Sequence, residues 1–294
     1  MSHLHNLFHK GTDPGYKLPR SAGPIAEPVF VAEPVFVAGP VSATAAAVAE
    51  VAAPPEFSVE EARITSASRL VYHLDPRSPS ADKFRFLRMR LRDQWTAGKL
   101  KRLLITSPLA ADGKSTCLLN LATALSEHGK RSVLVIEGDL HHSSIAEILR
   151  LRTWPGLTEC LQDESISPLS HVRRVEPLGW HFLPAGEPRR NPTELLQTPA
   201  LRSVLEKVSA GFDWVLIDSP PVIPLTDPIA LQQHVDATLL VMRAGRTPQE
   251  ALDQTIELLG RKKIAGVILN GIERRNQPYY QHRYYDGNAR NEDD

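Results

Sequence analysis

Residues 103–116 read LLITSPLAADGKST, an apolar run followed by a loop that ends in glycine, lysine, serine and threonine. The apolar run predicts a buried strand. The residues after Lys114 predict a helix, because four apolar side chains recur there at helical spacing: Leu118, Leu121, Ala122 and Leu125. The first N–H groups of a helix attract anions. This stretch is therefore typical of a loop that holds phosphates, with Lys114 on the β- and γ-phosphates and Ser115 on Mg²⁺.

The loop departs from the usual G-x-x-x-x-G-K-[ST] pattern at one position. Pro108 stands where the first glycine would be. A turn with a surface lysine is the alternative interpretation, but the strand before it and the helix after it favour nucleotide binding. The candidate nucleotide contacts are Ala111, Asp112, Gly113, Lys114, Ser115 and Thr116.

From residue 100 onward, predicted strands alternate with predicted helices. The strands are Arg102–Thr106, Ser132–Ile136, Trp180–Leu183, Trp214–Ile217, Ala237–Met242 and Ile264–Leu269. The clearest helices are Ser115–Glu127, Pro199–Ser209 and Thr247–Leu259. This alternation predicts an α/β fold of the P-loop NTPase type, in which a mostly parallel sheet carries helices on both faces.

Acidic residues follow two of the apolar strands at the end where ligands bind in such folds. Glu137 and Asp139 come after the strand VLVI, and Asp218 ends the strand WVLI. Mg²⁺ commonly takes one or two carboxylates beside phosphate oxygens, which suits Asp139 and Asp218. A carboxylate near the γ-phosphate can accept the proton of an attacking hydroxyl, and Glu137 is the candidate for that role. We therefore expect Lys114, Glu137, Asp139 and Asp218 to form a catalytic group around ATP and Mg²⁺.

Composition argues against several other classes of protein. Lysine plus arginine equals aspartate plus glutamate, at 34 each in 294 residues, so no global charge favours nucleic acid. Cys117 and Cys160 have no metal-binding spacing and are expected to be reduced. No apolar run is long enough to span a membrane, which predicts a cytoplasmic chain unless a partner tethers it.

The chain divides into four predicted regions. Residues 1–60 are rich in alanine, proline and valine, include a direct repeat of EPVFVA, and are expected to be a disordered linker. Residues 61–99 lead into the nucleotide-binding domain, which spans residues 100–275. Residues 276–294 form a polar, tyrosine-rich tail that is expected to be disordered.

The segment 82–95 within the lead-in predicts a helix with two faces. One face is apolar, with Phe84, Leu87, Leu91 and Trp95. The other is charged, with Asp82, Arg85, Arg88 and Arg92. From the residues alone, a solvated face with intrahelical ion pairs and an interface with another subunit are equally good interpretations.

The tail contains four of the six tyrosines: Tyr279, Tyr280, Tyr284 and Tyr285. A plain polar terminus is one interpretation. A cluster of phosphate acceptors is the other, since each phosphotyrosine would add about −1.5 to −2 charges. Next to a nucleotide site, the second interpretation is the stronger.

These motifs together resemble the bacterial tyrosine kinases of capsule and exopolysaccharide export, in the cytoplasmic type without membrane spans. Residues 111–116 are similar to the family's modified Walker A loop, residues 136–140 to its Walker A′ motif and residues 215–221 to its Walker B motif. Residues 191–196, the segment from Thr247 and residues 266–270 are also similar to family stretches. The resemblance implies an adenine contact for Asn270 and makes Asp82, Arg85 and Arg88 an oligomerisation motif.

The family resemblance implies partners and regulation as well. Autophosphorylation would occur in trans, with one subunit's tyrosine tail in its neighbour's active site within a ring. Phosphorylated tails beside acidic residues would repel and loosen the ring. A membrane-anchored polysaccharide co-polymerase would activate the kinase and recruit it to the inner face of the membrane, and a cognate phosphatase would reverse the modification.

Two residues depart from the family pattern. Glu137 replaces the usual aspartate, and His141 stands where arginine is usual. A base displaced by about 1 Å can lose of order a hundredfold in rate. A nucleotide-binding regulator of polysaccharide assembly with little or no kinase activity is therefore one alternative. A partitioning-type P-loop ATPase is another, although Ser107 and Pro108 lack the extra lysine of that class.

Overall fold

The computed structural model describes residues 57–98 and 100–272, which form one α/β unit around an eight-stranded sheet. The strands are β1 Ser58–Glu61, β2 Arg102–Thr106, β3 Val133–Glu137, β4 Arg173–Glu176, β5 Trp180–Leu183, β6 Trp214–Asp218, β7 Ala237–Arg243 and β8 Ile264–Asn270. Their order across the sheet is β1-β4-β5-β3-β6-β2-β7-β8. Within the described ranges, no helix is long and apolar enough to cross a membrane.

Six strands from β5 to β8 across the sheet run parallel to one another, and β4 is antiparallel to β5. The predicted fold class, a mostly parallel sheet of the P-loop NTPase type with helices on both faces, is therefore confirmed. The six strands expected from the sequence are present, with ends shifted by one residue at most. The two strands that were not predicted, β1 and β4, are short and rich in charged residues.

The helices are α1 Val71–Leu74, α2 Pro79–Thr96, α3 Lys114–Ser126, α4 Ser144–Leu149, α5 Leu157–Gln162, α6 Pro192–Leu196, α7 Pro199–Ser209, α8 Asp227–Gln232 and α9 Gln249–Leu259. They cover both faces of the sheet because its central strands are apolar on both sides. In β3, Val133 and Val135 belong to the core under α2 and α3, whereas Leu134 and Ile136 belong to the core under α5 and α7. This alternation is the two-residue period of a strand buried on both faces.

Helix α3, which follows the phosphate loop, is buried on nearly all sides. Its sheet-facing residues were expected from their helical spacing, but the lead-in covers the opposite side as well. There the amide of Asn120 accepts the N–H of Tyr72 at 2.9 Å and donates to the carbonyl of Arg69 at 3.0 Å. The lead-in and the nucleotide-binding domain therefore share one core.

Helix α2 packs its apolar side on α3, as its pattern predicts. Ser78 caps its N-terminus by accepting the N–H of Ala81, which the short polar side chain favours at that position. Phe84 and Leu91 are fully buried. At the other end the Trp95 indole stacks on Trp214 with ring centroids 6.1 Å apart.

The predicted linker ends earlier than expected. Residues 58–60 were assigned to the disordered region, and this was wrong because they belong to β1. Strand β1 pairs with β4, and the Glu60 carboxylate binds the buried guanidinium of Arg173 at 3.1 Å. Contacts between residues so far apart in the chain cannot be predicted from a short polar stretch of sequence. The remaining linker residues, 1–56, and the tail lie outside the described residues.

Substituting two phenylalanines of α2 tests this packing. Phe84→Ala should lower the free energy of unfolding by about 3–5 kcal/mol in urea denaturation, because it leaves a cavity in a closed core. Phe86→Ala on the same helix is the matched control, since its ring is 47% exposed. It should change stability by less than about 1 kcal/mol. Equal losses would contradict the assigned orientation of α2.

Candidate active site

Three strands bring the candidate residues to one edge of the sheet. Strand β6 lies between β2 and β3, so Asp218 at its end is paired with Ile105 on one side and with Glu137 on the other. The phosphate loop follows β2, and Asp139 lies two residues beyond β3. The carboxyl ends of parallel strands thus place the predicted catalytic group in one cleft.

The phosphate loop takes a backbone conformation that depends on Gly113. This residue has a φ of 96° directly before α3 begins at Lys114. A side chain there would also overlap the amide nitrogen of Asn270, which donates to the carbonyl of Asp112 at 2.8 Å. Glycine is therefore required both for the turn and for the close approach of β8. Ala111 takes a φ of 65° in the same loop.

The Lys114 ammonium lies between two carboxylates. Its Nζ is 3.4 Å from Oδ2 of Asp139 and 3.3 Å from Oδ2 of Asp218, and its side chain is 12% exposed. Burial lowers the pKa of Lys114, but the charges of Asp218 and Asp139 outweigh burial and raise that pKa above its usual value. Lys114 therefore keeps its positive charge at neutral pH.

Asp218 binds two hydroxyl groups in addition to the lysine. Its Oδ2 accepts from Ser115 at 2.7 Å and from Ser144 at 3.3 Å. Its Oδ1 is buried and has no hydrogen-bond partner among the described residues. Burial raises the pKa of Asp218, against the lowering effect of Lys114.

The donor set fits Mg²⁺. A buried carboxylate oxygen without a partner is expensive unless a cation or a donor completes it, and Oδ1 of Asp218 is such an atom. The hydroxyl of Ser115 binds the other oxygen of this carboxylate, and the carboxylate of Asp139 shares the Lys114 ammonium with it. Mg²⁺ takes one or two carboxylates and fills the remaining octahedral positions with water and phosphate oxygens. These three residues are thus the ones that would hold the ion.

Glu137 is buried next to this group. Its Oε1 accepts the N–H groups of Ile145 at 2.7 Å and Ala146 at 3.4 Å, in the first turn of α4. Its Oε2 has no partner among the described residues. Burial, above all, raises the pKa of Glu137 to about 8, and the charge of Asp218 adds to this rise. Glu137 thus joins α4 to the site and keeps one carboxyl oxygen unused.

A cavity of about 330 Å³ adjoins the phosphate loop. Four of the predicted nucleotide contacts line it: Ala111, Gly113, Thr116 and Asn270. Arg69, Arg243 and Gly271 complete the lining. Its place beside the start of α3 suits the base and ribose of a nucleotide whose phosphates lie on the loop.

Asp112 lies in the loop but turns its side chain inward. Its carboxylate accepts from Thr247 at 2.8 Å and from the N–H of Leu109 at 3.1 Å. Burial raises the pKa of Asp112. Its side chain therefore shapes the loop from within.

His141 occupies the position where the family usually has arginine. Its Nε2 is 2.9 Å from Oδ2 of Asp227, which is fully buried and also accepts from Thr193 at 2.6 Å. The backbone N–H groups of His141 and His142 donate to Oδ1 of Asp139 at 3.3 and 3.1 Å. The loop that carries Asp139 is thus anchored on α8 and α6.

The predicted oligomerisation residues lie on the half-exposed side of α2. Arg85 pairs with Asp82 at 2.6 Å within the helix. Arg88 donates to the Tyr72 hydroxyl at 3.3 Å and to the carbonyl of Ala124 at 3.2 Å. Arg88 therefore also links α2 to α3. The predicted phosphoacceptors Tyr279, Tyr280, Tyr284 and Tyr285 lie outside the described residues.

Three site residues were missed from the sequence. Arg243 ends the parallel strand β7, so the rule that ligands bind at strand ends could have identified it. Ser144, whose hydroxyl is 2.8 Å from that of Ser115, had only its place at a helix start as a signal. Arg69 comes from the lead-in and had no local signal.

Comparison with known proteins places this geometry in a family. No protein-family model matches the chain. The kinase domain of BceF, a solved structure, is 30% identical with a TM-score of 0.61, and the match covers 69% of this chain and 81% of that domain. The chain belongs to the family of bacterial tyrosine kinases.

Two longer proteins share this family domain. The tyrosine-protein kinase ptk of Acinetobacter johnsonii is 32% identical over 200 residues, which are 67% of this chain and 27% of that protein. The succinoglycan biosynthesis transport protein ExoP of Rhizobium meliloti (strain 1021) is 32% identical over 201 residues, which are 66% of this chain and 25% of that protein. The chain thus spans about a quarter of the length of these relatives.

Substituting Gly113 tests the contact between the loop and β8. Gly113→Ala should lower the free energy of unfolding by about 2–3 kcal/mol, from the positive φ and from displacement of the Asn270 amide. Gly129→Ala is the matched control, because its φ is also positive, at 81°, and no atom lies within 4 Å. That control should lose only about 1 kcal/mol.

An Asn270→Ala background identifies the cause of the larger loss. Removing that amide should reduce the effect of Gly113→Ala to that of Gly129→Ala in the same urea denaturation. If Gly113→Ala remains more destabilising there, the collision with Asn270 is not the cause.

Proposed function

We propose that this chain transfers the γ-phosphoryl group of ATP to tyrosine and thereby acts as a protein-tyrosine autokinase. The observation that carries the proposal is the Lys114 ammonium and the Ser115 hydroxyl, held against Asp139 and Asp218 at the start of a phosphate-loop helix. Phosphoryl transfer needs positioned charge around the transferred group rather than covalent chemistry by the protein. The cavity beside the loop has room for the remainder of the nucleotide.

Each residue of the group has a proposed role. The N–H groups of residues 111–116 hold the β-phosphate, and Lys114 neutralises charge on the transferred group. Ser115, Asp139 and Asp218 hold Mg²⁺, which offsets the negative charge of the phosphates when bound. Asn270 contacts the base at the edge of the cavity.

Glu137 is the proposed general base. Its Oε2, which is buried and has no hydrogen-bond partner among the described residues, would take the proton of the tyrosine hydroxyl while the phenolic oxygen attacks phosphorus and ADP leaves. A carboxyl whose pKa is raised to about 8 suits proton transfer near neutral pH. Its other oxygen stays on α4, so the base is held in place.

The acceptors are proposed to be Tyr279, Tyr280, Tyr284 and Tyr285 of a second subunit. A homo-oligomeric ring would present them in trans, and the α2 residues Asp82, Arg85 and Arg88 would lie at the subunit interface. Repulsion between phosphorylated tails and the acidic centre would then loosen the ring. A cognate phosphatase would restore the tails.

The cellular role is proposed to be control of exopolysaccharide or capsule polymerisation and export. The relative ExoP is named as a succinoglycan biosynthesis transport protein, and it is about four times as long as the matched region. A membrane-anchored co-polymerase would supply the remainder of such a system as a separate activator. It would recruit this chain from the cytoplasm to the inner face of the membrane.

A nucleotide-binding regulator without kinase activity is the second candidate. The observation that favours it is the engagement of Glu137 by the first turn of α4, together with His141 in place of the family's arginine. Nucleotide binding without any phosphotyrosine would identify this role.

Labelling with Mg-ATP tests the kinase directly. The full chain, incubated with Mg-ATP and the cytoplasmic segment of an activating partner, should become phosphotyrosine-positive on an immunoblot. Lys114→Met should abolish the signal, and replacing all four tail tyrosines by phenylalanine should remove most of it. Wild-type protein that stays unmodified with the activator present rules the kinase out.

The role of Glu137 is tested by Glu137→Gln. The amide oxygen can still accept the N–H of Ile145, so the melting temperature should change little. The amide cannot take a proton, so the initial labelling rate should fall at least about a hundredfold. If the variant labels at a near wild-type rate, Glu137 only supports α4. A parallel fall in melting temperature would assign the loss to folding.

A further inference from the structure

A second cavity, of about 650 Å³, adjoins the active site beside α4. Ser144 lines it, and the Ser144 hydroxyl lies 2.8 Å from that of Ser115 and 3.3 Å from Oδ2 of Asp218. Through Ser144 the cavity therefore adjoins the carboxylate of Asp218, and its lining residues differ from those of the smaller cavity at the loop. Its size is in the range of sites that bury a small ligand or a few side chains.

The rim of this cavity is positively charged. Arg63, in the segment after β1, and Arg150, at the end of α4, both line it and are both exposed. Neither guanidinium forms an ion pair with any carboxylate of the described residues. The nearby Arg152, by contrast, pairs with Glu60 at 3.4 Å. Two unpaired guanidinium groups at one cavity attract carboxylates, whose geometry they match.

The charge balance of the lining supports the same conclusion. Glu147 is the acidic side chain of the lining, and its carboxylate lies 3.3 Å from Nε2 of His142. Ser144 of this lining contacts Asp218 at 3.3 Å, so the cavity adjoins the acidic centre formed by Asp139 and Asp218. An acidic peptide would be repelled at this centre, and the arginines at the rim would offset that repulsion.

We infer that this cavity receives the acceptor tyrosine and that Arg63 and Arg150 bind acidic residues beside it. The inference rests on the proposed kinase function and narrows its substrate class to tyrosines flanked by carboxylates. The occupant to which we commit is the segment 276–294 of a second copy of this chain. That segment places Asp286 directly after Tyr285 and carries four acidic residues against two arginines.

The test separates the enzyme from the acceptor. The enzyme is the full chain with its four tail tyrosines replaced by phenylalanine, so that it cannot label its own tail. The acceptor is a full chain carrying Lys114→Met, either with its natural tail or with a neutral tail. The neutral tail has no charged side chain: it carries Asp286→Asn, Glu292→Gln, Asp293→Asn and Asp294→Asn, together with Arg283→Gln and Arg290→Gln.

Initial rates of acceptor phosphorylation, measured below saturation, should fall roughly three- to tenfold with the neutral tail. An enzyme carrying Arg63→Gln and Arg150→Gln should show the same loss on the natural tail. It should show little further loss on the neutral tail, because the interacting charges have already been removed. Raising the salt concentration should reduce all these differences.

Arg261→Gln is the matched control in the enzyme. It removes an exposed arginine directly before β8, the edge strand opposite β1, and should leave the tail preference unchanged. Equal rates on both tails, or losses from the arginine substitutions that are the same on both tails, would overturn the inference.

A binding measurement distinguishes failure of the inference from failure of the kinase proposal. A fluorescent peptide of residues 276–294 is titrated with full-length neutral-tail protein without ATP, so that the protein's own tail does not compete. Binding that weakens with Arg63→Gln and Arg150→Gln, and with a neutral peptide, supports the cavity even if no mixture yields phosphotyrosine. If neither the arginine substitutions nor the neutral peptide weakens binding, the inference about the cavity is wrong, whatever the labelling experiments show.

Discussion

The Lys114 ammonium, nearly enclosed by protein, is the constraint on which the site depends. A buried charge is tolerable only with opposite charges in contact, and Asp139 and Asp218 supply them. Asp218 ends β6, whereas Lys114 and Asp139 follow β2 and β3. The ion cluster therefore exists only while the carboxyl ends of β2, β3 and β6 lie side by side. The chemistry of the site thus depends directly on the order of the strands in the sheet.

The lead-in takes part in the same construction. Helix α3 must hold its first N–H groups still if they are to bind phosphate, and it is fixed on both sides by packing. The sheet covers one side, and α1 and α2 cover the other through Asn120 and the buried face of Phe84 and Leu91. The helix that carries the proposed subunit contacts is thus packed directly on the helix that follows the phosphate loop.

Glu137 and His141, the two residues that depart from the family pattern, both make specific contacts with neighbouring residues. The longer side chain of Glu137 reaches the N–H groups that begin α4. His141 binds Asp227, and its backbone helps to hold Asp139. Both residues have specific, buried partners rather than vacant surroundings. The same contacts bring α4, and with it Ser144 and Arg150, to the edge of the second cavity.

Much of the fold could be predicted from local patterns. Apolar strands, helical spacing and loop chemistry depend on residues that are close together in the chain. The six predicted strands, the apolar face of α2 and the fold class belong to this part. The sequence also singled out Lys114, Asp139 and Asp218 by their places after strands. The tertiary structure decided what depends on residues far apart in the chain: the pairing of β1 with β4, the inward turn of Asp112, and the entry of Arg69 and Ser144 into the site. Their positions are set by sheet order and packing, which no short stretch of sequence encodes.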